Sequence, residues 1–278
     1  MEVIMGRFLF IGGDKRMIYA AREVARQYDT AAFGLSGEFP APEGLYENIV
    51  LPLPFSRGGA LITAPLCSEP IALDKFADFA AEHAVIYSGG SSAVLEAFCA
   101  DSGFTLKNYH ADESLALKNA FLTAEAAAAL LIQNRECSLR GASVLITGYG
   151  RIARYLAGIL RGFGAEVVVY ARRAEQRTLA ELDGFCAVDG GCLCGAAITS
   201  DIIVNTAPAV LFNESCLRSL RKGAVFMELA SVPAEPLAGI VKSCGGTHIM
   251  ASGLPGRFFP QSAGEAIAEY LTADSAIT

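Results

Sequence analysis

The chain has 278 residues, of which 53% are hydrophobic and 18% are charged, and its formal net charge is −7. This length is enough for two domains of ordinary size, and the composition is typical of a compact globular protein. The negative charge and the absence of a basic run argue against a nucleic acid as partner, because contacts to phosphates dominate that kind of affinity.

The apolar stretches of the sequence do not predict a membrane anchor. The longest of them, Ala126 to Ile132, lies between Glu125 and Gln133 and is too short to span a bilayer. Near the N-terminus, Glu2 precedes a short apolar run with no basic start and no small-residue cleavage site, which favours a folded strand over a signal peptide. We therefore expect a cytoplasmic protein without membrane contact.

The eight cysteines are scattered along the chain, and only Cys186, Cys192 and Cys194 lie close together in sequence. No C-x-x-C pair occurs and no histidine is near this group, so the spacing does not favour zinc. We predict no bound metal and expect reduced thiols that pack as small apolar residues.

The first half of the chain alternates apolar runs with amphipathic segments, which predicts an α/β domain over residues 1–115. The segment Gly37 to Pro54 is rich in proline and glycine and is predicted as a loop. Alternation of this kind implies a parallel sheet with helices on both faces. The expected strands are Phe8 to Ile11, Ala31 to Leu35, Ala60 to Ala64 and Ala84 to Tyr87, and the expected helices are Met17 to Gln27, Leu73 to Glu82 and Ala93 to Ala100.

Two segments of this domain are candidates for substrate binding, because ligands of parallel sheets bind at the carboxyl ends of the strands. Arg16 follows the first strand, and Ser91 and Ser92 lie at a predicted helix start after the strand at Ala84 to Tyr87. These side chains suit a substrate carboxylate. Two alternatives stay open: the serines only cap the helix, and Arg16 only begins a surface helix.

A long helical pattern, Asp112 to Arg135, contains the linker helix predicted over residues 116–136. Asn119 and Thr123 are one helical turn apart and would share a face. A helix that joins two α/β domains runs past the cleft between them, so both are predicted catalytic-site residues. Glu125 on the same helix is the candidate proton acceptor, with a solvated carboxylate on the helix surface as the open alternative, and His110 just before the helix is a second ionisable candidate.

The stretch from Ser143 to Arg173 has the order strand, glycine-rich turn, helix and strand. Its turn carries the pattern G-x-G-x-x-A, the fingerprint of dinucleotide binding in this context. The first glycine permits a tight turn, the second leaves room for the pyrophosphate, and the helix start attracts phosphate charge. We predict a Rossmann domain over residues 137–262, with cofactor-binding residues Gly148, Tyr149, Gly150, Arg151 and Ile152.

The end of the second strand in this stretch carries arginines where NAD-binding domains usually have a carboxylate. Arg172 and Arg173 are suited to hold a 2′-phosphate through charge-assisted hydrogen bonds. This favours NADP(H) over NAD(H). The alternative is that both arginines form a solvated strand end.

Three more buried strands are predicted in this domain, at Asp201 to Val204, Ala224 to Leu229 and Thr247 to Ala251. Asn205, Thr206 and Pro208 follow the first of them and are cofactor candidates, because that strand end lies near the nicotinamide in dinucleotide domains. Arg257 follows the last strand and is a further substrate candidate. The C-terminal helix, residues 263–272, is expected to pack back on the first domain.

Several motifs of the chain together resemble the family of the dipicolinate synthase A subunit, and the likeness covers nearly the whole length in order. The overall architecture also resembles D-2-hydroxyacid and alanine dehydrogenases. The motifs are Gly12 to Arg16, Asn119 to Glu125, Thr147 to Ala153, Val169 to Arg173, Asn205 to Pro208, Glu228 to Ser231 and Gly253 to Gly256.

The resemblance implies an α/β oxidoreductase subunit that oxidises dihydrodipicolinate, a cyclic dicarboxylate from the lysine pathway, to dipicolinate in spore-forming bacteria. It further implies NADP(H) as cofactor, the flavoprotein-like B subunit of dipicolinate synthase as partner, and a homo- or hetero-oligomer. Two other functions stay open: an NADP-dependent dehydrogenase of another small carboxylate, and a non-catalytic nucleotide-binding scaffold.

Overall fold

The computed structural model describes residues 6–35, 37–56, 58, 61–230 and 237–275. The chain divides into two compact units, Met1–Asn119 with Pro255–Thr278, and Ala120–Leu254. Each unit is built on a parallel sheet with helices, which confirms the predicted fold class. Ser231, the last residue of one family-like motif, and Ala60, the first residue of a predicted strand, lie outside the described residues.

The first unit contains a five-stranded parallel sheet in the order β2-β1-β3-β6-β7 and a separate antiparallel pair, β4-β5. The strands are β1 (Phe8–Ile11), β2 (Thr30–Phe33), β3 (Tyr46–Val50), β4 (Leu61–Ile62), β5 (Ile71–Ala72), β6 (Ala80–Ser88) and β7 (Thr105–Asn108). The helices are α1 (Lys15–Val24), α2 (Ala93–Asp101) and the start of α3 (Glu113–Gln133).

Three predictions for the first unit are wrong in part. The loop predicted over Gly37 to Pro54 contains β3, a buried strand at the centre of the sheet, whose apolar pattern is short and flanked by glycine and proline. The helix predicted from Leu73 to Glu82 is a 3₁₀ segment, Leu73–Phe79, because the chain enters β6 at Ala80. The strand predicted from Ala60 to Ala64 is reduced to β4, outside the main sheet.

The second unit contains a six-stranded parallel sheet in the order β10-β9-β8-β11-β12-β13. Counted from β8, this is the 3-2-1-4-5-6 order of dinucleotide-binding domains. The strands are β8 (Ser143–Thr147), β9 (Glu166–Tyr170), β10 (Cys186–Val188), β11 (Ile202–Asn205), β12 (Val225–Glu228) and β13 (Thr247–Met250). The helices are α4 (Arg151–Gly162), α5 (Ala174–Leu182), α6 (Leu193–Thr199), α7 (Glu214–Arg218) and α8 (Leu237–Ser243).

Two C-terminal helices, α9 (Leu254–Phe258) and α10 (Pro260–Ser275), return the chain to the first unit. α10 packs along α1, and its Ala266, Ile267 and Leu271 join the core that α1 forms with the sheet. Gly264 makes the close approach possible, since a Cβ there would lie 2.5 Å from the carbonyl oxygen of Arg16.

One helix, α3, is long and apolar enough to cross a membrane when judged by length and composition alone. Its most apolar window has a mean hydropathy of 1.5, and 44% of that window is buried. The core helix of a soluble protein meets the same criteria, so this helix by itself is weak evidence for a membrane span.

Candidate functional site

The glycine-rich turn of the second unit begins directly after β8, in a backbone conformation that favours glycine. Gly148 has a φ of 91°, and its N–H donates to the carbonyl oxygen of Tyr170 at 2.7 Å. A Cβ at Gly148 would lie 2.7 Å from Oγ1 of Thr206. The first glycine of the fingerprint is therefore required by both its φ and its neighbour.

Gly150 is the N-terminal cap of α4 and makes no side-chain cap. A Cβ built at Gly150 would meet no atom within 4 Å, so open space lies beside this part of the turn. The first N–H groups of a helix lack partners within the helix and attract anions. Arg151 is exposed, Ile152 is half-buried, and Ala153 is fully buried against the sheet.

Tyr149 lies within the predicted cofactor-binding turn, but its side chain is occupied inside the protein. The ring is only 3% exposed, and its hydroxyl donates to Oδ2 of Asp183 at 2.8 Å. Arg154 donates to both oxygens of the same carboxylate, at 2.7 and 3.0 Å. The hydrogen bonds from Arg154 and Tyr149 lower the pKa of Asp183, whereas burial raises the pKa of Tyr149. Only the backbone of Tyr149 is left to contribute to a ligand site.

Arg172 and Arg173 are exposed at the end of β9. In the part of the chain that the structure describes, their side chains make no hydrogen bond or ion pair, so both guanidinium groups are available to a ligand. A third arginine stabilises the backbone before this pair: Nη1 of Arg177 donates to the carbonyl oxygens of Ala171 and Arg172 at 2.8 and 2.9 Å. Arg177 was not among the residues predicted from the sequence, although its position early in a helix after the two arginines was a signal for this role.

A buried polar network joins the carboxyl ends of β8, β11 and β12. Nδ2 of Asn205 donates to both carboxylate oxygens of Glu228, at 2.9 and 3.0 Å, and Oδ1 accepts from the hydroxyl of Thr147. All three residues are buried. Burial raises the pKa of Glu228, and hydrogen bonds from Asn205 and the Ala230 N–H oppose that rise.

The candidates after β11 differ in what their side chains can offer to a cofactor. The amide of Asn205 is fully engaged in the network, and Oγ1 of Thr206 donates to the Thr147 carbonyl oxygen at 2.7 Å. Pro208 is exposed and Thr206 is half-buried. The surface of this turn is therefore formed by Thr206 to Pro208, with Asn205 beneath it.

In the first unit, Arg16 lies at the start of α1 with 9% of its surface exposed, which does not fit a surface helix start. Its Nε donates to Asp14 Oδ1 at 3.0 Å, and Nη2 donates to Asp14 Oδ2 at 2.8 Å and to the Leu53 carbonyl oxygen. A Cβ at Gly256 would lie 2.8 Å from Arg16 Nε, so the glycine makes room for the guanidinium. Because Asp14 balances its charge, Arg16 is a weaker carboxylate ligand than an unpaired arginine.

The two serines after β6 differ in environment. Oγ of Ser92 accepts from the N–H of Leu95 at 3.2 Å and caps α2, while the Ser91 hydroxyl donates to the Glu96 carboxylate. Oδ1 of Asn108 braces the same loop by accepting from the Gly90 N–H at 3.1 Å. The capping alternative for Ser92 is thus realised, and a ligand would have to compete with Glu96 for the Ser91 hydroxyl.

The remaining candidates lie on α3 and α9. On α3, Asn119 is half-buried, Thr123 is 8% exposed, and Glu125 is exposed to solvent. On α9, Arg257 is exposed, with its guanidinium carbon 5.9 Å from the centroid of the Phe258 ring. Within the described residues, no group of three or more histidine, cysteine or acidic side chains could hold a metal ion.

Comparison with known proteins covers both units. Residues 7–110 match the model of the N-terminal domain of the dipicolinate synthase A subunit, and residues 120–233 match that of the D-isomer specific 2-hydroxyacid dehydrogenase NAD binding domain. The A subunit of dipicolinate synthase from Bacillus subtilis (strain 168) is 26% identical over 276 residues, which cover 94% of this chain and 93% of that protein. The chain is a relative of the dipicolinate synthase A subunit.

Two solved structures share the fold of this chain. The dipicolinate synthase A chain from Bacillus subtilis superposes with a TM-score of 0.84 at 26% identity and covers 97% of this chain and 95% of its own. The corresponding protein from Bacillus halodurans has a TM-score of 0.86 at 23% identity, with 97% of each chain covered. The family-model match identifies the second unit as a dehydrogenase-type domain for a nicotinamide dinucleotide, and together with the sequence similarity it indicates an oxidoreductase-like chain.

Three carboxylate partners were not predicted from the sequence: Asp14 for Arg16, Glu228 for Asn205, and Asp183 for Tyr149. Asp14 follows β1 by three residues, and Glu228 ends β12 as the one charged residue in an otherwise apolar strand. A carboxylate in such a strand is a signal, because buried charges are rare and need partners.

Proposed function

We propose that this chain is the nucleotide-binding subunit of an oxidoreductase that converts dihydrodipicolinate to dipicolinate with NADP⁺. The observation that carries the proposal is the similarity to the dipicolinate synthase A subunit over both units, at 94% coverage of the chain. A second unit with a 3-2-1-4-5-6 sheet and an open glycine-rich turn supports the cofactor half of the proposal.

The reaction removes one hydride and one proton from the dihydropyridine ring, and the ring becomes aromatic. A nicotinamide held by the second unit would supply the hydride acceptor. The protein is left to orient a cyclic dicarboxylate and to receive the proton, and aromatic stability supplies much of the driving force. A reaction that needs only an oriented substrate and one proton acceptor is compatible with a site that has few ionisable groups.

In the cofactor site, the backbone of Gly148 to Ile152 and the start of α4 would hold the pyrophosphate, and the turn Asn205 to Pro208 would lie on the nicotinamide side. The exposed guanidinium groups of Arg172 and Arg173 would hold the 2′-phosphate of NADP(H). Arg151 at the start of α4 adds positive charge near the phosphates.

For the substrate, we propose that Arg16, Ser91, Ser92 and Arg257 of the first unit bind the carboxylates. Asn119 and Thr123 on α3 would orient the ring, and Glu125 would accept the proton. We also propose that a flavoprotein-like B subunit completes the enzyme, that the assembly is cytoplasmic, and that it serves the sporulation branch of the lysine pathway.

One specific observation favours a second candidate function, a non-catalytic nucleotide-binding scaffold. Arg16 and Arg257 are the two positively charged substrate candidates, and Arg16 is the more buried of them. Its guanidinium group is already paired with Asp14. A site whose arginine is internally neutralised binds a dicarboxylate less strongly than one with an unpaired arginine.

The deciding experiment gives the purified chain dihydrodipicolinate and NADP⁺, alone and with the B subunit, and follows the absorbance of reduced nicotinamide and of dipicolinate. Product in either mixture, faster with NADP⁺ than with NAD⁺, is the expected result. No product in either mixture, while nucleotide binding is intact, would contradict the oxidoreductase proposal and support the scaffold.

A further inference from the structure

Glu228 is a buried carboxylate that no cation balances within the described residues. It is 3% exposed at the end of β12, and two neutral donors contact it: Nδ2 of Asn205, 2.9 and 3.0 Å from the two carboxylate oxygens, and the Ala230 N–H, which lies 3.1 Å from Oε1. Burying a charge costs free energy, and hydrogen bonds from neutral donors repay only part of that cost. Because a buried carboxylate at this strand end destabilises the fold, we expect it to have a role other than packing.

The Asn205 amide has fixed partners at both ends. An ionised carboxylate only accepts hydrogen bonds, so the amide nitrogen must face Glu228. The backbone N–H of Ala207 only donates, so Oδ1 must face Ala207, from which it accepts at 3.2 Å. Glu228 and the Ala207 N–H together fix which way the Asn205 amide points.

The orientation of this amide affects the glycine-rich turn through contacts made by the residues after β11. Asn205 Oδ1 holds Ala207, and the neighbouring Thr206 donates from Oγ1 to the Thr147 carbonyl oxygen at 2.7 Å. That same Oγ1 lies 2.7 Å from where a Cβ at Gly148 would stand. The turn after β11 and the first glycine of the fingerprint are therefore in direct contact.

From these contacts we infer that Glu228 is a positioning residue of the dinucleotide site: through Asn205 it fixes the turn Thr206 to Pro208 against Gly148. The inference rests on the proposed function in one respect, namely that the second unit binds a nicotinamide dinucleotide. It does not depend on which substrate the chain oxidises.

The inference is tested by exchanging the donor and acceptor between the two side chains. Glu228→Gln is nearly isosteric but turns an amide nitrogen toward the Asn205 nitrogen, so two donors face each other. Asn205→Asp places two carboxylates together. The double variant Glu228→Gln/Asn205→Asp restores one donor and one acceptor: the new amide donates to the new carboxylate, whose other oxygen still accepts from Thr147 and Ala207.

The readouts are the dissociation constants of NADPH and NADH, by fluorescence titration of the full chain, together with thermal unfolding. Each single variant is expected to weaken nucleotide binding by about tenfold or more, as the loss of a buried hydrogen bond does. The double variant is expected to bind within about threefold of the wild type, because the restored pair returns that energy.

Two results would overturn the inference. One is unchanged nucleotide affinity in Glu228→Gln, and the other is a double variant that is stable yet binds no better than the singles. If a single variant does not fold, the double variant still decides, because recovered folding without recovered affinity shows a structural role only. A wild-type chain that binds neither nucleotide would contradict the proposed function itself, and the inference with it.

Discussion

Arg177 holds the backbone of Arg172: its Nη1 donates to the Arg172 carbonyl oxygen at 2.9 Å and to that of Ala171 at 2.8 Å. The turn after β9 is thus fixed by a third arginine, while the side chains of Arg172 and Arg173 are exposed. An arginine pair on a fixed turn suits recognition of a 2′-phosphate, since less order is lost on binding.

Replacing the pair, Arg172→Ala/Arg173→Ala, is expected to weaken NADPH binding by about 100-fold or more and NADH binding by much less, because at least two charge-assisted hydrogen bonds are lost, each worth roughly 1.5–3 kcal/mol. Fluorescence titration with both nucleotides measures the difference. Arg218→Ala is the matched control, since Arg218 is an exposed arginine of the same unit whose one ion-pair partner among the described residues is Glu214. Equal losses for NADPH and NADH would show that the pair does not read the 2′-phosphate.

Gly150→Ala separates folding from nucleotide binding. The new Cβ enters open space at a φ of −88°, so the free energy of unfolding should change little. NADPH binding should fall at least tenfold, because the methyl group occupies the place where the pyrophosphate approaches the backbone.

Gly148→Ala is the contrasting variant. It should lower the free energy of unfolding by roughly 1–3 kcal/mol, because of the positive φ at this position and the close contact with Thr206. Urea unfolding with NADPH titration tests both, and full affinity in Gly150→Ala would contradict the assignment.

The sequence predicted the second unit better than the first, for physical reasons. From β8 to β9, apolar runs and a glycine turn are local signals, and the structure has the strand, turn, helix and strand in the predicted order. In contrast, β3 is stabilised by pairing with β1 and β6, which are distant in sequence, so its five residues carried too little local pattern. Partners such as Asp183 and Glu228 are also set by tertiary contact, which sequence spacing does not reveal.

Asp14→Asn tests whether the buried arginine of the first unit serves a ligand. Asparagine still caps α1, but the guanidinium of Arg16 loses its counter-charge, which should lower stability by roughly 1–3 kcal/mol. If Arg16 binds a substrate carboxylate, dipicolinate should bind severalfold more tightly to this variant in isothermal titration calorimetry. Glu38→Gln, which releases the exposed Arg22, is the control. Unchanged dipicolinate affinity would assign Arg16 a purely structural role.

Gly264→Ala tests the packing of α10 on α1. The new Cβ would lie 2.5 Å from the Arg16 carbonyl oxygen and 2.6 Å from Tyr19 Cβ, so the helices would have to separate. The expected loss is roughly 1–3 kcal/mol in urea unfolding. Gly158→Ala is the matched control, because it lies inside α4 with no atom within 4 Å of its Cβ and should gain about 0.5–1 kcal/mol. A neutral Gly264→Ala would show that the close approach is not needed.

Asp183 makes the stability of the second unit dependent on pH in acid. Hydrogen bonds from Arg154 and Tyr149 hold its pKa below the ordinary value of 3.8. A carboxyl whose pKa is depressed by folding stabilises the protein above its unfolded pKa, and this contribution is lost as the pH falls through the folded pKa.

Asp183→Asn should therefore be less stable than wild type at neutral pH, and the difference in the free energy of unfolding should shrink below about pH 4. Urea unfolding from neutral pH to pH 3 measures it, with Glu175→Gln, an exposed carboxyl on α5, as control. A difference that stays constant over this range would mean that the Tyr149 and Arg154 contacts stabilise the fold without depending on the charge of Asp183.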